Sequence, residues 1–295
     1  KLIGLEILQL EKEYKDSLAK IAQYEKILGS KTVMSNVIKK DLEEIKKEFA
    51  TERRTLIEDG KEAVYDETAI PISEVAFVMD RFGYCKVVEK SVYDRNWETL
   101  ESENPYVITC LNTDKICIFT NTGILHQVKI MDIPLGKLRD KGSPIDNLSK
   151  YEGSKETIIY LCNAESMKGR LFLFATKQAL VKQVPGEEFE TNNRTVAATK
   201  LQEGDEVLSV QKVMGETDVV LQTSNGVFLR FMRDEISELK KNSRGVRGIK
   251  LAQGEELEAL YLLGDDPIID YKGKDVHLNR LKIGKRDGKG SKARV

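Results

Sequence analysis

The sequence predicts a mainly β, propeller-like domain of about five four-stranded blades, preceded by an N-terminal coiled-coil segment. Three observations support this fold class. The hydrophobic period changes from the three-and-four spacing of helices to the alternation of strands near Ile70. A β-hairpin pattern then recurs, and a second strand–turn–strand pattern recurs between the hairpins. We predict a helical segment over residues 1–60 and a bladed domain over residues 61–295.

The helical segment carries the seam of a coiled coil. Its first helix is predicted to end at Gly29, and a second helix begins near Ser30 or Thr32 and runs to about residue 58. The seam positions of the first helix, one of them polar, are Ile7, Leu10, Tyr14, Ser17, Ile21, Tyr24 and Leu28. This seam needs a partner helix, which we expect in upstream sequence or in another subunit.

Five segments of the second part share one hairpin pattern, a strand, a tight turn and a second strand that carries a cation. They read VMDRFGYCKVVEK, FTNTGILHQVKI, FATKQALVKQV, QTSNGVFLRFM and DYKGKDVHLNRL. Their turn residues are Gly83, Gly123, Ala179, Gly226 and Gly273. Glycine suits a turn position with positive φ, so the turn at Ala179 is expected to be slightly strained.

A second motif recurs between the hairpins, with a basic opening, a strand, an acidic turn with glycine and another strand. Its copies read KGSPIDNLSKYEGSKETIIYL, NRTVAATKLQEGDEVLSVQKV and SRGVRGIKLAQGEELEALYLL, and GKGSKARV opens a further copy. We expect the first strand of each copy to end at Leu148, Leu201 or Leu251. The resulting repeat of about 45 residues with four strands is typical of propeller blades, the first irregular and the last incomplete.

The overall composition is electrically balanced, with 47 Lys and Arg against 48 Asp and Glu. This balance does not exclude nucleic-acid binding, which depends on where the charges lie. The 4 cysteines and 2 histidines lack zinc-site spacing, and no apolar run is long enough for a membrane span. No group of residues suggests a nucleophile, a base or a metal site, so we predict no catalytic residue and no metal ligand.

Cations recur at equivalent positions of the predicted blades, interleaved with glycines. If the blades surround an axis, these positions form a basic outer rim that suits a phosphate backbone, without base readout. The candidate DNA-binding residues are Arg244, Arg247, Lys250, Lys240, Lys241, Arg230, Lys182, Lys129, Arg280, Lys285, Arg286, Lys289 and Lys292. The alternative is a propeller that binds proteins through its faces, with basic turns that only aid solubility.

Three further expectations concern the acidic turns and two single residues. The acidic turns are expected to lie on the side of the disc opposite the basic turns. His126 is expected to be a half-exposed strand residue. Trp97, in a segment interpreted as an acidic loop, is expected to be a packing anchor of the irregular first blade.

Several segments resemble a known family. The segments EYKDSLAKIAQYEKIL and VIKKDLEEIKKEFATERRTLI resemble the end of the breakage–reunion region of the A subunit of bacterial type IIA topoisomerases. The segments FTNTGILHQVKIMDIP, KGSPIDNL, FATKQALVKQVP and SRGVRGIKL resemble the C-terminal β-pinwheel of that subunit. The resemblance covers essentially the whole chain and implies that the predicted blades form a pinwheel, with strands exchanged between blades, around which duplex DNA wraps.

The resemblance also implies partners and cofactors. A subunits form a homodimer and work with an ATPase B subunit, as an A2B2 heterotetramer, in the bacterial cytoplasm on nucleoid DNA. The holoenzyme uses Mg²⁺ and ATP, with ATP on the partner subunit, and this fragment is expected to hold no cofactor. The DNA-cleaving tyrosine of the family lies upstream of residue 1, so we expect none here.

The resemblance leaves two activities to separate. Gyrase A subunits carry the signature Gln-Arg-Arg-Gly-Gly-Lys-Gly in the first blade, where it supports wrapping and negative supercoiling. The corresponding region here, YCKVVEKSVYDRNWETLESENPYVITC, lacks this signature and is acidic. We therefore favour a topoisomerase IV-like A subunit, with gyrase as the alternative.

Overall fold

The structure is a computed structural model that describes residues 2–51, 55, 71–264 and 267–292. It divides into two compact units, residues 1–68 and 69–295. The predicted boundary at residues 60 and 61, and the predicted continuation of the second helix to residue 58, lie outside the described residues except for Thr55. No helix in the described ranges is both long and apolar enough to cross a lipid bilayer.

The first unit contains two helices, α1 (Leu2–Leu28) and α2 (Lys31–Phe49). The amide of Gly29 still bonds to the Glu25 carbonyl at 2.8 Å, and α2 begins with Ser30 as its N-cap, whose hydroxyl accepts from the Val33 amide at 3.5 Å. Both helix boundaries at this turn confirm the sequence prediction. The apolar seam is open to solvent, with Leu10 70% exposed.

The second unit consists mainly of short antiparallel strands. In chain order the strands are β1 (Glu74–Met79), β2 (Tyr84–Glu89), β3 (Tyr106–Leu111), β4 (Lys115–Thr120), β5 (Ile124–Lys129), β6 (Ser143–Pro144), β7 (Ile158–Asn163), β8 (Leu171–Thr176), β9 (Leu180–Pro185), β10 (Thr195–Ala197), β11 (Val207–Lys212), β12 (Asp218–Thr223), β13 (Val227–Met232), β14 (Val246–Arg247), β15 (Leu257–Leu263), β16 (Ile268–Tyr271), β17 (Lys274–His277) and β18 (Ser291–Lys292). Two further helices are α3 (Lys90–Glu103) and the single turn α4 (Ile145–Leu148). All five predicted hairpins form.

The strands build four sheets of four strands, in the orders β3-β1-β2-β6, β10-β5-β4-β7, β11-β8-β9-β14 and β15-β12-β13-β18, and a two-stranded sheet β16-β17. We number them as the first to the fifth sheet. One edge strand of each four-stranded sheet, namely β6, β10, β14 or β18, comes from the chain that follows the next hairpin. Each of these exchange strands therefore ties its sheet to the following one.

The exchange strands are shorter than the sequence suggested. Leu148 lies in α4 instead of a strand, and β10 and β14 end before Leu201 and Leu251. At the opposite edge of each sheet, β3, β7, β11 and β15 contact one another in series. These strands are therefore the inner edges, and the exchange strands form the outer edges.

The hydrophobic core is a series of layers between neighbouring sheets. Phe77 of the first sheet packs with Ile116 and Ile118 of the second, and Phe119 packs with Phe172 of the third. The third and fourth sheets share a layer, and a smaller one joins the fourth sheet to the β16–β17 hairpin. Side chains of both faces are buried in the second, third and fourth sheets, because each of these lies between two other sheets.

The hairpin turns have the backbone conformation that the sequence predicted. The φ angles of Gly83, Gly123, Gly226 and Gly273 lie between 72° and 83°. Ala179 has φ 59° at the equivalent position, so its side chain imposes a strain that the four glycines avoid.

The first sheet differs from the sequence interpretation, because the expected acidic loop is helix α3. Leu100 of α3 is buried, together with Ala76, Val78 and Val88, on the face of the first sheet that points away from the second. Trp97 is 49% exposed and is not the anchor that we expected. The helix thus covers a face that would otherwise be open to water.

We expect the substitution Leu100→Ala to lower the free energy of unfolding of the second unit by about 2 kcal/mol, because it removes buried apolar surface beneath α3. The matched substitution Trp97→Ala should change it by less than about 0.5 kcal/mol. Denaturant unfolding of both variants measures the difference. A larger loss for Trp97→Ala would contradict this assignment of the anchor.

Candidate nucleic-acid interface

Lys182, predicted to bind DNA, lies in the interior. It is 1% exposed, and its Nζ donates to the carbonyls of Lys241 at 2.7 Å and Ser243 at 2.9 Å. Nζ also lies 3.4 Å from the Lys240 carbonyl. Burial lowers the pKa of Lys182 to about 8. The prediction for Lys182 is wrong, because its ammonium holds a neighbouring loop and cannot reach a phosphate.

Lys86 occupies the same position in the first sheet, three residues after the turn residue of its hairpin. Its Nζ donates to the carbonyls of Leu138 at 2.6 Å, Asp140 at 2.7 Å and Lys137 at 3.2 Å. Burial lowers the pKa of Lys86 as well. In both sheets the acceptors belong to the loop that leads into the exchange strand, so a buried lysine anchors that loop.

Arg230 of the fourth sheet has a similar structural role, so its predicted DNA contact is also wrong. Its side chain is 17% exposed and forms an ion pair with Asp218, with Nε 2.7 Å from Oδ2. Its Nη1 donates to the carbonyls of Asn279 and Leu281, the latter at 3.3 Å. Arg230 therefore anchors the loop before β18.

His126 of the second sheet is buried, not half-exposed as predicted. Its Nδ1 lies 3.1 Å from the Thr195 hydroxyl of β10, and its Nε2 lies 3.1 Å from Oε1 of Glu156. In each of the four four-stranded sheets, a polar side chain on the second strand of the hairpin thus holds the exchange strand or the loop before it.

The pairing registers of the exchange strands place one cation at an equivalent position in each four-stranded sheet. Ser143 pairs with Cys85, Val196 with Leu125, Val246 with Val181 and Ser291 with Phe228, and each partner lies two residues after the hairpin turn residue. The residue two positions before the exchange-strand member of each pair is a cation. These four equivalent cations are Lys141, Arg194, Arg244 and Lys289, and all are exposed. We call them the rim cations.

Two rim cations, Lys141 and Arg194, were missed by the sequence reasoning. When the motif copies are aligned from their first residues, Lys141 is the first residue of its copy, whereas Arg194 and Arg244 are the second residues of theirs. The copies instead share the number of residues between the rim cation and the residue whose amide bonds to the turn of the paired hairpin. The amides of Ile145, Ala198 and Gly248 bond at 2.8 Å to the carbonyls of the hairpin turn residues, and each lies four residues after its rim cation.

The glycine that follows three rim cations is required by the sheet. Gly142, Gly245 and Gly290 have φ of 82°, 94° and 68°. A Cβ at Gly142 would overlap the Cys85 carbonyl oxygen, and at the other two it would lie 2.7 Å from the corresponding carbonyl oxygen. Glycine therefore lets the exchange strand approach its hairpin. Thr195 replaces it in the second sheet, without positive φ.

The other predicted DNA-binding residues fall into two groups. Arg247 pairs with Asp287, with Nη2 2.9 Å from Oδ2, and Arg286 donates through Nη1 to the Arg247 carbonyl at 2.7 Å. The ion pair lowers the pKa of Asp287 and raises the pKa of Arg247. Lys241 is half-buried. Arg247 is exposed despite its ion pair, and the other exposed members are Arg244, Lys250, Lys240, Lys129, Arg280, Lys285, Lys289 and Lys292.

The acidic turns lie at the hairpin-turn end of the sheets. The Asp205 carboxylate accepts from the amide of Gln178, in the turn of the third hairpin, at 3.0 Å. Glu206 pairs with Lys177 at 3.1 Å. The rim cations lie farther along the outer strands, so acids and rim cations occupy different parts of each blade.

Comparisons with known proteins agree with this topology. A family described as the DNA gyrase C-terminal domain, a beta-propeller, matches residues 171–214 and 217–263, which include the third and fourth hairpins. The A subunit of DNA gyrase from Lawsonia intracellularis is 30% identical over 311 residues, covering 98% of this chain. The chain belongs to the family of type IIA topoisomerase A subunits.

Solved structures support the fold of this A-subunit family member. The C-terminal domain of DNA topoisomerase IV superposes with a TM-score of 0.67 at 20% identity, covering 75% of this chain and 72% of that one. The C-terminal domain of DNA gyrase A gives a TM-score of 0.51 at 16% identity, covering 74% of this chain and 76% of that one. The predicted β-pinwheel with exchanged strands is confirmed.

The chain spans 38% of the length of the Lawsonia intracellularis gyrase protein. The family assignment therefore concerns a region of an A subunit, which comprises the two helices of the first unit and the pinwheel. Among the described residues, no group of three histidine, cysteine, aspartate or glutamate side chains is placed to hold a metal ion.

Proposed function

We propose that the pinwheel binds duplex DNA along its outer edges, without reading sequence, and bends it for strand passage by a type IIA topoisomerase. The observation that carries this proposal is the set of rim cations, which repeat at one register position on the outer strands. Arg244 and Lys289 are exposed, whereas Arg194 pairs with Asp132. Exposed cations at equivalent positions of successive sheets suit contact with a phosphate backbone.

The proposed assembly follows from the family. The A subunit would act as a homodimer with an ATPase B subunit, and the holoenzyme would use Mg²⁺ and ATP outside this fragment. The open seam of α1 and α2 suits a partner helix elsewhere in that assembly. The pinwheel would hold a DNA segment while the cleavage region acts on it.

We propose a topoisomerase IV-like activity. The basic signature expected of gyrase is absent from the first blade, where α3 carries Glu98, Glu101 and Glu103 instead. Gyrase is the second candidate, favoured by the names of relatives such as the DNA gyrase A subunit of Staphylococcus aureus. That protein is 28% identical to this chain, which covers 35% of its length. Supercoiling by the full A subunit with its ATPase partner separates the two, because only gyrase would introduce negative supercoils into relaxed DNA.

The DNA proposal is tested by measuring the affinity of the 295-residue chain for duplex DNA between about 50 and 200 mM salt, on duplexes of two unrelated sequences. About six phosphate contacts predict a slope of log affinity against log salt near −5, alike for both sequences. Affinity that does not depend on salt would contradict the proposal and favour a protein-binding propeller. A marked preference for one sequence would contradict contact through the backbone alone.

A further inference from the structure

We infer that the DNA track along the outer rim is interrupted at the second sheet, and that its continuous part lies across the third and fourth sheets. This inference rests on the proposed function and concerns where the duplex makes contact. It follows from the four loops that lead into the exchange strands, which we call the rim loops and define as residues 133–142, 186–194, 236–245 and 281–290.

The rim loops differ in charge. Three carry more cations than acids, and the one on the second sheet carries more acids than cations. The first contains Lys137, Arg139, Lys141 and Asp140; the second Glu187, Glu188, Glu190 and Arg194; the third Lys240, Lys241, Arg244 and Glu238; and the fourth Lys282, Lys285, Arg286, Lys289 and Asp287. Their formal charges are +2, −2, +2 and +3, so only the second would repel a phosphate backbone.

Contacts at the second sheet also reduce the cations available there. Arg194 pairs with Asp132 at 3.5 Å. The Glu187 carboxylate accepts from the Gly169 amide at 2.7 Å, and hydrogen bonds from its own amide and from Gly169 lower its pKa, which keeps it negative. The Lys241 side chain donates to the Glu188 carbonyl. The acidic loop therefore also occupies a lysine of the third rim loop.

The third and fourth sheets are joined where their outer edges meet. The Lys250 amide bonds to the Gly288 carbonyl at 2.9 Å, and the Asp287 amide bonds to the Gly248 carbonyl at 2.7 Å. These bonds join the segment after β14 to the fourth rim loop. The exposed cations Lys250 and Lys289 therefore flank this junction, which the ion pair of Arg247 and Asp287 also spans, and the exposed Arg244 precedes Arg247 on the same exchange segment.

The physical consequence is a short track. Phosphates gain favourable contacts across the third and fourth sheets and meet a negative loop at the second. A duplex would bend over this pair of sheets and leave the rim there, because continuing would place its backbone against Glu187 and Glu190, in a loop whose formal charge is −2.

The equivalent rim cations allow a matched test in the full 295-residue chain. We expect Arg244→Ala and Lys289→Ala each to reduce the magnitude of the salt slope by about 1 and to weaken duplex binding several-fold at low salt. Arg194 occupies the same register position in the second sheet, and Arg194→Ala should change the affinity for duplex DNA less than twofold. Circular dichroism of each variant checks that the fold is kept.

A second measurement does not depend on affinity. Asn192 and Asn242 are exposed and each lies two residues before its rim cation. A DNA-cleaving reagent attached to Asn242→Cys should cut bound duplex, and the same reagent attached to Asn192→Cys should not. Three of the native cysteines are buried and Cys110 is half-buried, which favours labelling at the new site.

The outcomes separate the inference from the proposed function. Equal losses for Arg194→Ala and Arg244→Ala, or equal cutting from positions 192 and 242, would overturn the interrupted track and leave DNA binding intact. No loss in any of the three alanine variants, together with salt-independent binding, would overturn the proposed function itself.

Discussion

Replacing Lys182 with methionine is expected to lower the free energy of unfolding of the pinwheel by about 3 to 4 kcal/mol. The change keeps most of the side-chain volume but removes the ammonium that binds the carbonyls of Lys241 and Ser243. Buried carbonyls that lose a charged donor are costly, at about 1 to 3 kcal/mol for each unsatisfied group. Partial access of water to the loop limits the total.

The control for this substitution is Lys200→Met, which removes an exposed lysine close to the same loop. It should alter the unfolding free energy by less than about 0.5 kcal/mol. Denaturant unfolding near neutral pH measures both variants. Equal stability of Lys182→Met and the unsubstituted chain would show that the ammonium does not hold the loop.

The same pair of proteins gives a prediction for pH. The pKa of Lys182 falls from 10.5 to about 8 through burial. Between these values the unfolded chain binds more protons at this lysine than the folded chain, so its titration makes the folded state more stable as pH rises. The stability of the unsubstituted chain relative to Lys182→Met should therefore increase from about pH 8 to about pH 10.5, and a decrease would contradict the lowered pKa.

Replacing Gly245 with alanine is expected to cost about 3 kcal/mol and to weaken DNA binding. Its φ of 94° is unfavourable for alanine, and the new Cβ would lie 2.7 Å from the Val181 carbonyl oxygen. The exchange strand β14 would have to move away from β9. Because Arg244 precedes this glycine, its displacement should weaken duplex binding as well.

Gly254→Ala is the matched control for Gly245→Ala. Gly254 also has positive φ, 73°, but a Cβ there would meet no atom within 4 Å. It should cost about 1 kcal/mol and leave the DNA affinity unchanged. Thermal or denaturant unfolding and duplex titration measure both variants, and equal effects would show that backbone strain alone, without the carbonyl contact, explains the cost.

The hairpins could be predicted from local sequence because their turns depend on a few neighbouring residues. A turn that needs positive φ selects glycine, and four of the five turn positions have it. Even the exception, Ala179, was found by its spacing. Helix α3 was missed because it is rich in charged residues and buries only Leu100, which leaves little apolar period to recognise in the sequence.

The DNA-binding candidates were predicted less well, because charge alone does not say where a side chain points. Lys182 and Arg244 look equally basic in the sequence, yet one is buried and the other exposed. The acceptors of Lys182 lie 58 to 61 residues along the chain, apart from Ala198, so no local pattern reveals them. Lys141 and Arg194 were overlooked because their equivalence is defined by pairing with a hairpin of the preceding repeat.

Short-range rules thus account for the repeated hairpins, their turns, the helical seam and the boundary at Ser30, since each depends on the conformational freedom or the periodicity of adjacent residues. The assignment of each cation to the interior or to the rim came from packing. Strand exchange brings a loop from the next repeat over each hairpin, and the loop carbonyls then supply ligands for a buried ammonium while the neighbouring cation turns toward water.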